Sequence, residues 1–262
     1  MESARVWIVT GASRGLGFAL AKEVARRQET LVICARNEEK LVRAADELRA
    51  TGATVHFAVG DVADREFGRR FINDALERFG RVDVLVNNAS LLGPSPLPPL
   101  QSFPLDALQQ IFAANVLGPL FLAQLVLPRM IAEGRGLIVN ISSDAAVGGY
   151  PGWGGYGASK AALDLITHTL ANELAGTGVG AVAIDPGDMR TEMHQAAFPG
   201  EDISDRPLPE EVAPAIFQII EKELTGARKQ RRDGKSGSLG EAQESSGVRR
   251  RWRYQAQEVV PS

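Results

Sequence analysis

The sequence predicts one doubly wound α/β domain built on a parallel sheet, and three observations carry that prediction. Short apolar runs alternate with longer helical patterns. The runs are nearly continuous Val/Ile/Leu, and a glycine-rich turn, TGASRGLG, joins the first run to the first helical segment. Uninterrupted apolar strands suit a sheet covered on both faces. Strand–helix alternation implies right-handed βαβ units.

Strands are expected at 5–10, 30–35, 54–59, 82–87, 136–142 and 179–185, with helical segments near 15–28, 37–51, 64–79, 105–133, 156–176 and 209–224. Six such units make a single domain over residues 1–225. Two stretches break the alternation. Residues 91–104 (LLGPSPLPPLQSFP) hold too many prolines for helix or central strand, and Asp188–Pro209 reads as a loop or lid after the sixth strand. Both fall at carboxyl ends of strands, where ligands bind in open α/β sheets.

At 262 residues and 44% hydrophobic content the chain can bury one sizeable core. Its net charge of −3 argues against a nucleic-acid or anionic-membrane binder. Of the 29 Lys/Arg and 32 Asp/Glu, nine and four follow residue 225, so the body is acidic and the tail basic. Residues 226–248 are polar and Gly/Ser-rich and are expected to form a disordered basic linker. Residues 249–262 can be a tail or, through WRYQAQEVV, an edge strand. The single cysteine, Cys34, excludes a disulfide framework. The first ten residues are too short in apolar content for a signal peptide, and no apolar stretch looks like the roughly 18 residues of a membrane span. The expected setting is cytoplasmic, with neither membrane nor nucleic acid as partner.

In the glycine turn, Gly11 permits a tight bend, Gly15 lets the backbone approach a pyrophosphate, and Gly17 lets the helix pack on the sheet. The helix N-terminus adds donors and a positive dipole end. A site specific for NAD would place Asp or Glu at the end of strand two. Here that region reads CARNEEK, with Arg36 at the strand end and Arg14 inside the turn. Two guanidiniums suit a 2′-phosphate, so NADP(H) is expected over NAD(H). Asp61, past strand three, could accept from the adenine amino group or cap the helix near Asp64.

Tyr156 and Lys160 lie one helical turn apart, with Ser143 thirteen residues upstream of the tyrosine. A unit charge about 4 Å from the phenol is worth roughly 4 kcal/mol at an effective dielectric near 20. That could lower the tyrosine by as much as about three pKa units before desolvation. Such a shift would make it a general acid/base near neutrality. Tyr150 has no base four residues on, and Ser142 lacks the offset of Ser143, so neither competes well.

TGASRGLG, Asn87-Asn88-Ala89-Ser90, Asn115, Ser143, Tyr156-Gly-Ala-Ser-Lys160 and Asp185-Pro-Gly187 occur in order. Over residues 4–225 the chain resembles a short-chain dehydrogenase/reductase of the single-domain kind. The resemblance implies a Rossmann fold and hydride transfer between a nicotinamide and a carbonyl/alcohol pair. It makes Tyr156 the proton donor in reduction, Lys160 its activator and a ribose ligand, and Ser143 the holder of the substrate oxygen. Asn115 would hold a water linking Lys160 to solvent, whereas by itself it reads as an amide satisfying a helix irregularity near Gly118 and Pro119. Cofactor contacts fall to Gly11, Ser13, Arg14, Gly15, Leu16, Gly17, Arg36, Asp61, Val62, Asn88, Ala89, Tyr156, Lys160, Pro186, Gly187, Met189 and Thr191. No metal is implied.

Three departures stand out. The family's usual N-N-A-G reads N-N-A-S, which Ser90 tolerates only at negative φ. Residues 91–104 are unusually rich in proline and are expected to shape the substrate entrance. The family's C-terminal strand sequence is missing. Expected pocket walls (Leu91, Leu92, Ala145, Val147, Tyr150, Trp153, Met189, Met193, Phe198) favour a small, mainly apolar carbonyl or alcohol. Apolar excess on 105–133 and 156–176 favours a homodimer or homotetramer. A non-catalytic, NADP(H)-sensing regulator is the alternative reading.

Overall fold

A computed structural model describes residues 4–234 and 252–256, with side chains through Ala227 and again from Trp252. Seven parallel strands form one sheet in the order β3-β2-β1-β4-β5-β6-β7. They are β1 (Val6–Thr10), β2 (Thr30–Ala35), β3 (Val55–Val59), β4 (Val84–Asn87), β5 (Gly136–Ile141), β6 (Val179–Asp185) and β7 (Arg253–Gln255). The five strands β1, β2, β4, β5 and β6 are buried at every position. That burial is why their apolar runs are nearly uninterrupted.

Two apolar layers cover the sheet. On one side α1 (Gly15–Ala25), α2 (Glu38–Arg49) and α8 (Pro209–Gly234) cover residues such as Trp7, Leu31 and Val139. On the other, α3 (Arg65–Phe79) and α5 (Gly118–Glu133) cover Ile8, Leu85 and Ile138. The sheet order reverses between β1 and β4, and such a switch point opens a crevice at the strand ends.

The expected helix 105–133 is interrupted. α4 (Leu105–Phe112) passes through a π turn, Ala113–Leu117, into α5. Gly118 sits so close to the chain that a Cβ there would lie 2.7 Å from the Val62 carbonyl oxygen. By length and composition Leu105–Glu133 could cross a membrane, since an 18-residue window within it has a mean hydropathy of 1.8, contrary to the expectation that no stretch looks like a span. Half of that window is buried in the fold, and Leu122, Ala123, Val126 and Met130 belong to the core. Burial against the sheet accounts for those four residues, while Leu105 and Leu117 stay exposed.

Other corrections are local. α6 (Gly154–Glu173) starts two residues before Tyr156. The segment 188–209 contains a short helix, α7 (Glu192–Ala197), capped by Thr191. α8 continues to Gly234, so the expected linker is helical over its first part, and 235–248 lie outside the described residues. The missing family strand is supplied by Arg253–Gln255, in register with Ala183–Asp185 of β6.

Candidate functional site

A cavity of about 810 Å³ runs along the carboxyl ends of the strands. Its floor is the glycine turn. Gly11 adopts φ +67, and a Cβ there would lie 2.9 Å from the Ala89 Cα. A Cβ on Gly17 would meet the Gly11 carbonyl oxygen at 2.5 Å, so Gly17 packs the helix and does not face the cavity. Gly15, at φ +57, has only a Thr191 methyl near its missing Cβ, at 3.8 Å. No side chain caps α1 and no acidic residue sits in its first turn. Its N–H groups are therefore left for an anion. A dinucleotide pyrophosphate fits this cradle by chemistry and by space.

Around the cradle the cavity wall includes Ser13, Arg14, Leu16, Arg36, Asp61, Val62, Asn88, Ala89, Pro186, Gly187, Met189 and Thr191. Asn88 turns its amide back, donating to Thr10 O at 2.9 Å and Gly11 O at 3.3 Å, which fixes the turn against β4. Asp61 accepts from the Ala63 N–H at 2.9 Å and faces Arg36 at 3.7 Å; the cap of α3 is Asp64. Thr191 Oγ1 accepts from the His194 N–H at 3.1 Å, which leaves its hydroxyl proton for a ligand.

At the other end stand Ser143, Tyr156 and Lys160. Tyr156 and Lys160 are both buried. Lys160 does not touch the phenolic oxygen in the way the spacing suggested. Its ammonium lies 5.5 Å from the Tyr156 ring centroid and donates to the Ile141 carbonyl at 2.7 Å. Burial pushes the lysine down to about 8, with Asp164 opposing. Burial also pushes the Tyr156 phenol well above its ordinary range, Asp185 and Asp144 push it further, and the hydroxyls of Ser90 and Ser143 pull it back. The lysine does not lower the phenol, because desolvation dominates at both groups.

Asn115 lies behind the cavity in the π turn. Its Oδ1 accepts from Leu91 N at 2.7 Å and from Ser90 Oγ at 3.1 Å, and its Nδ2 donates to Leu91 O at 2.9 Å and Ser159 Oγ at 3.0 Å. A side-chain amide offers four hydrogen bonds, and protein atoms use them all. The water expected on this residue would have to use its backbone carbonyl. The amide instead pins the chain after β4 to α6.

Of the expected substrate walls, Leu91, Leu92, Trp153, Met189 and Met193 line the cavity. Val147 and Tyr150 are exposed away from it. Ala145 and Phe198 pack in the small cluster around Tyr156, where Trp153 meets the Tyr156 ring edge-on at 5.8 Å. The proline-rich loop reaches the lid through Ser95 Oγ, which donates to Ala196 O at 2.6 Å.

Three site residues escaped the sequence reading, and a fourth, Ser90, entered it only as a departure from the family pattern. Lys40 and Glu192 line the phosphate end, where Glu192 pairs with Arg14 and, at 3.1 Å, with Lys40. A third cation in CARNEEK signalled Lys40; nothing in the sequence signalled Glu192. Ser90 has ordinary negative φ, as required, and its hydroxyl faces both Asn115 and Tyr156. Arg253 arrives from the C-terminal strand.

An anion cradle at the switch point, continuous with Ser143 and the buried Tyr156 and Lys160, defines a dinucleotide-dependent oxidoreductase. The model of the short chain dehydrogenase family matches residues 5–202, and the chain belongs to that family. It is 35% identical over 205 residues to 2-(R)-hydroxypropyl-CoM dehydrogenase of Xanthobacter autotrophicus, covering 78% of this chain and 82% of the relative. A short chain dehydrogenase of Shigella flexneri, solved with NADP, superposes with a TM-score of 0.80 at 28% identity over 97% of each chain. An NAD⁺-bound xylitol dehydrogenase superposes with a TM-score of 0.69 at 32% identity over 73% of each chain. The chain is thus an NAD(P)-dependent oxidoreductase acting on CH–OH groups.

Proposed function

We propose that the protein uses NADP(H) in preference to NAD(H) to interconvert a carbonyl and a secondary alcohol on a small, mainly apolar substrate. The observation that carries this reading is one continuous cavity with Arg14, Arg36 and Lys40 at one end and the buried Tyr156 phenol at the other. Three cations at the end of β2 suit a 2′-phosphate, and no acidic residue stands at the ribose position of Arg36. When bound, the nicotinamide supplies or accepts the hydride. The remaining work belongs to the chain. Tyr156 gives its phenolic proton to the carbonyl oxygen in reduction and takes it back in oxidation. The Ser143 hydroxyl donates to the same oxygen and holds it beside the phenol. Lys160 supplies positive charge as that oxygen becomes anionic. Leu91, Leu92, Trp153 and Met193 exclude water and favour an apolar substrate body.

Exposed Leu105, Leu117 and Leu165 on α4 to α6 support association of two or four copies. The test of activity is NADPH consumption with a panel of aldehydes and ketones, comparing wild type with Tyr156→Phe. Loss of the phenolic proton should cost about 10²- to 10⁴-fold in turnover while NADPH still binds. Equal turnover in the two proteins would remove Tyr156 from the mechanism.

A further inference from the structure

We infer that Arg253, on the C-terminal strand, is a positioning residue that holds together the two segments carrying Ser143, Tyr156 and Lys160 and a third that shapes the cofactor wall. The inference rests on the function proposed above. The guanidinium donates to Asp164 Oδ2 at 2.9 Å, to the Ser143 carbonyl at 2.9 Å and to Asp185 Oδ2 at 3.4 Å. Each acceptor belongs to a different part of the site. Ser143 opens the turn after β5, and its peptide orients the hydroxyl that faces Tyr156. Asp164 is one helical turn beyond Lys160 on the same face of α6. Asp185 ends β6, and its other oxygen accepts from the Gly187 N–H at 3.0 Å, which shapes the cavity wall at Pro186–Gly187.

The planar fork of arginine is what allows one side chain to serve carboxylates and a carbonyl in different directions. Asp164 and Asp185 are buried, and buried carboxylates need compensation. The strand itself has other anchors. Ala183 N donates to Trp252 O at 2.7 Å, Trp252 stacks on His168 at 4.7 Å, and Tyr254 Oη donates to Glu223 Oε1 at 2.5 Å. Strand docking therefore does not depend on Arg253 alone, and its role can be separated from the strand's. Through Arg253, catalytic geometry depends on a segment that lies more than ninety residues beyond Lys160 in the sequence.

Arg253→Lys keeps the charge and loses the fork. It should lower kcat by about 10- to 100-fold, the cost of a misplacement near 1 Å. The Kd for NADPH should stay within about twofold and the Tm within a few degrees. A second variant, Arg253→Met combined with Asp164→Asn and Asp185→Asn, removes the guanidinium together with the charges it offsets. It should fold, bind NADPH and remain slow. Wild-type kcat in either variant overturns the inference, because charge balance alone would then suffice. A matched loss of Tm, NADPH affinity and kcat in both variants also overturns it, assigning Arg253 to fold stability only. Wild type that binds NADPH yet turns over no carbonyl removes the proposed function, and this inference with it. Wild-type turnover with an unimpaired Arg253→Lys protein removes this inference alone.

Discussion

Lys160 donates its ammonium to the carbonyl of Ile141 at 2.7 Å, at the end of β5, and leaves the phenol of Tyr156 to burial and to two serine hydroxyls. A buried lysine lowered to about 8 is a stability statement. The ammonium is penalised in the native state and not in the unfolded chain, where it titrates near its ordinary 10.5. Below pH 8 both states hold the proton, and the native state bears the full cost. Between about 8 and 10.5 the native state releases it first, so this contribution to stability rises with pH. Against Lys160→Met, the unfolding free energy of the nucleotide-free wild type should gain about 3 kcal/mol across that window. Urea unfolding at a series of pH values measures it. A difference independent of pH would mean that the ammonium is solvated.

Arg36 sets cofactor choice in the proposed site. Arg36→Asp should weaken NADPH by about 10- to 100-fold, the worth of one or two charge-assisted hydrogen bonds, and leave NADH nearly unchanged. Titration of both dinucleotides gives the ratio. An unchanged ratio would take the 2′-phosphate away from Arg36.

Glu192 occupies the cations that a 2′-phosphate would need. It pairs with Arg14 and Lys40, and all three side chains are well exposed. Exposed pairs are worth about 0–1 kcal/mol. Glu192→Gln should accordingly tighten NADPH by no more than about fivefold, with no change for NADH. Weaker NADPH binding in this variant would show that Glu192 organises the site and does not compete for it.

Ser90 stands where relatives of this kind usually carry glycine. Its single hydroxyl proton goes to Asn115 Oδ1 at 3.1 Å while the phenol is neutral, and turned to the phenolate it holds that group down. Ser90→Gly should move the phenol further up, so the alkaline rise of alcohol oxidation shifts to higher pH, while reduction, which needs the protonated phenol, changes less. The lost hydrogen bond should cost about 1 kcal/mol of stability. An oxidation profile unmoved on the pH axis would leave Ser90 a packing residue.

Much of the architecture was legible along the chain because local patterns report burial. Strands buried on both faces must be largely apolar, and β1, β2, β4, β5 and β6 are. Gly11 and Gly17 were legible because no other residue fits where a Cβ would strike Ala89 or the Gly11 carbonyl. The π turn was not. Hydrophobic periodicity at 3.6 residues does not resolve one extra residue in a turn, so 105–133 read as one helix. The seventh strand was half legible, because three residues of an edge strand carry little pattern.

The sequence by itself determined the parallel sheet, the cradle and the Ser143–Tyr156–Lys160 set, since each rests on residue type at short spacing. Tertiary structure decided the electrostatics. Whether Lys160 lowers Tyr156 depends on what buries them both, and desolvation outweighs a charge that lies one turn away but points to Ile141. It also decided that Glu192 faces Arg14 and that Arg253 reaches Ser143, 110 residues apart. Contacts between distant elements are set by the packing of whole layers, and no local pattern of residues encodes them.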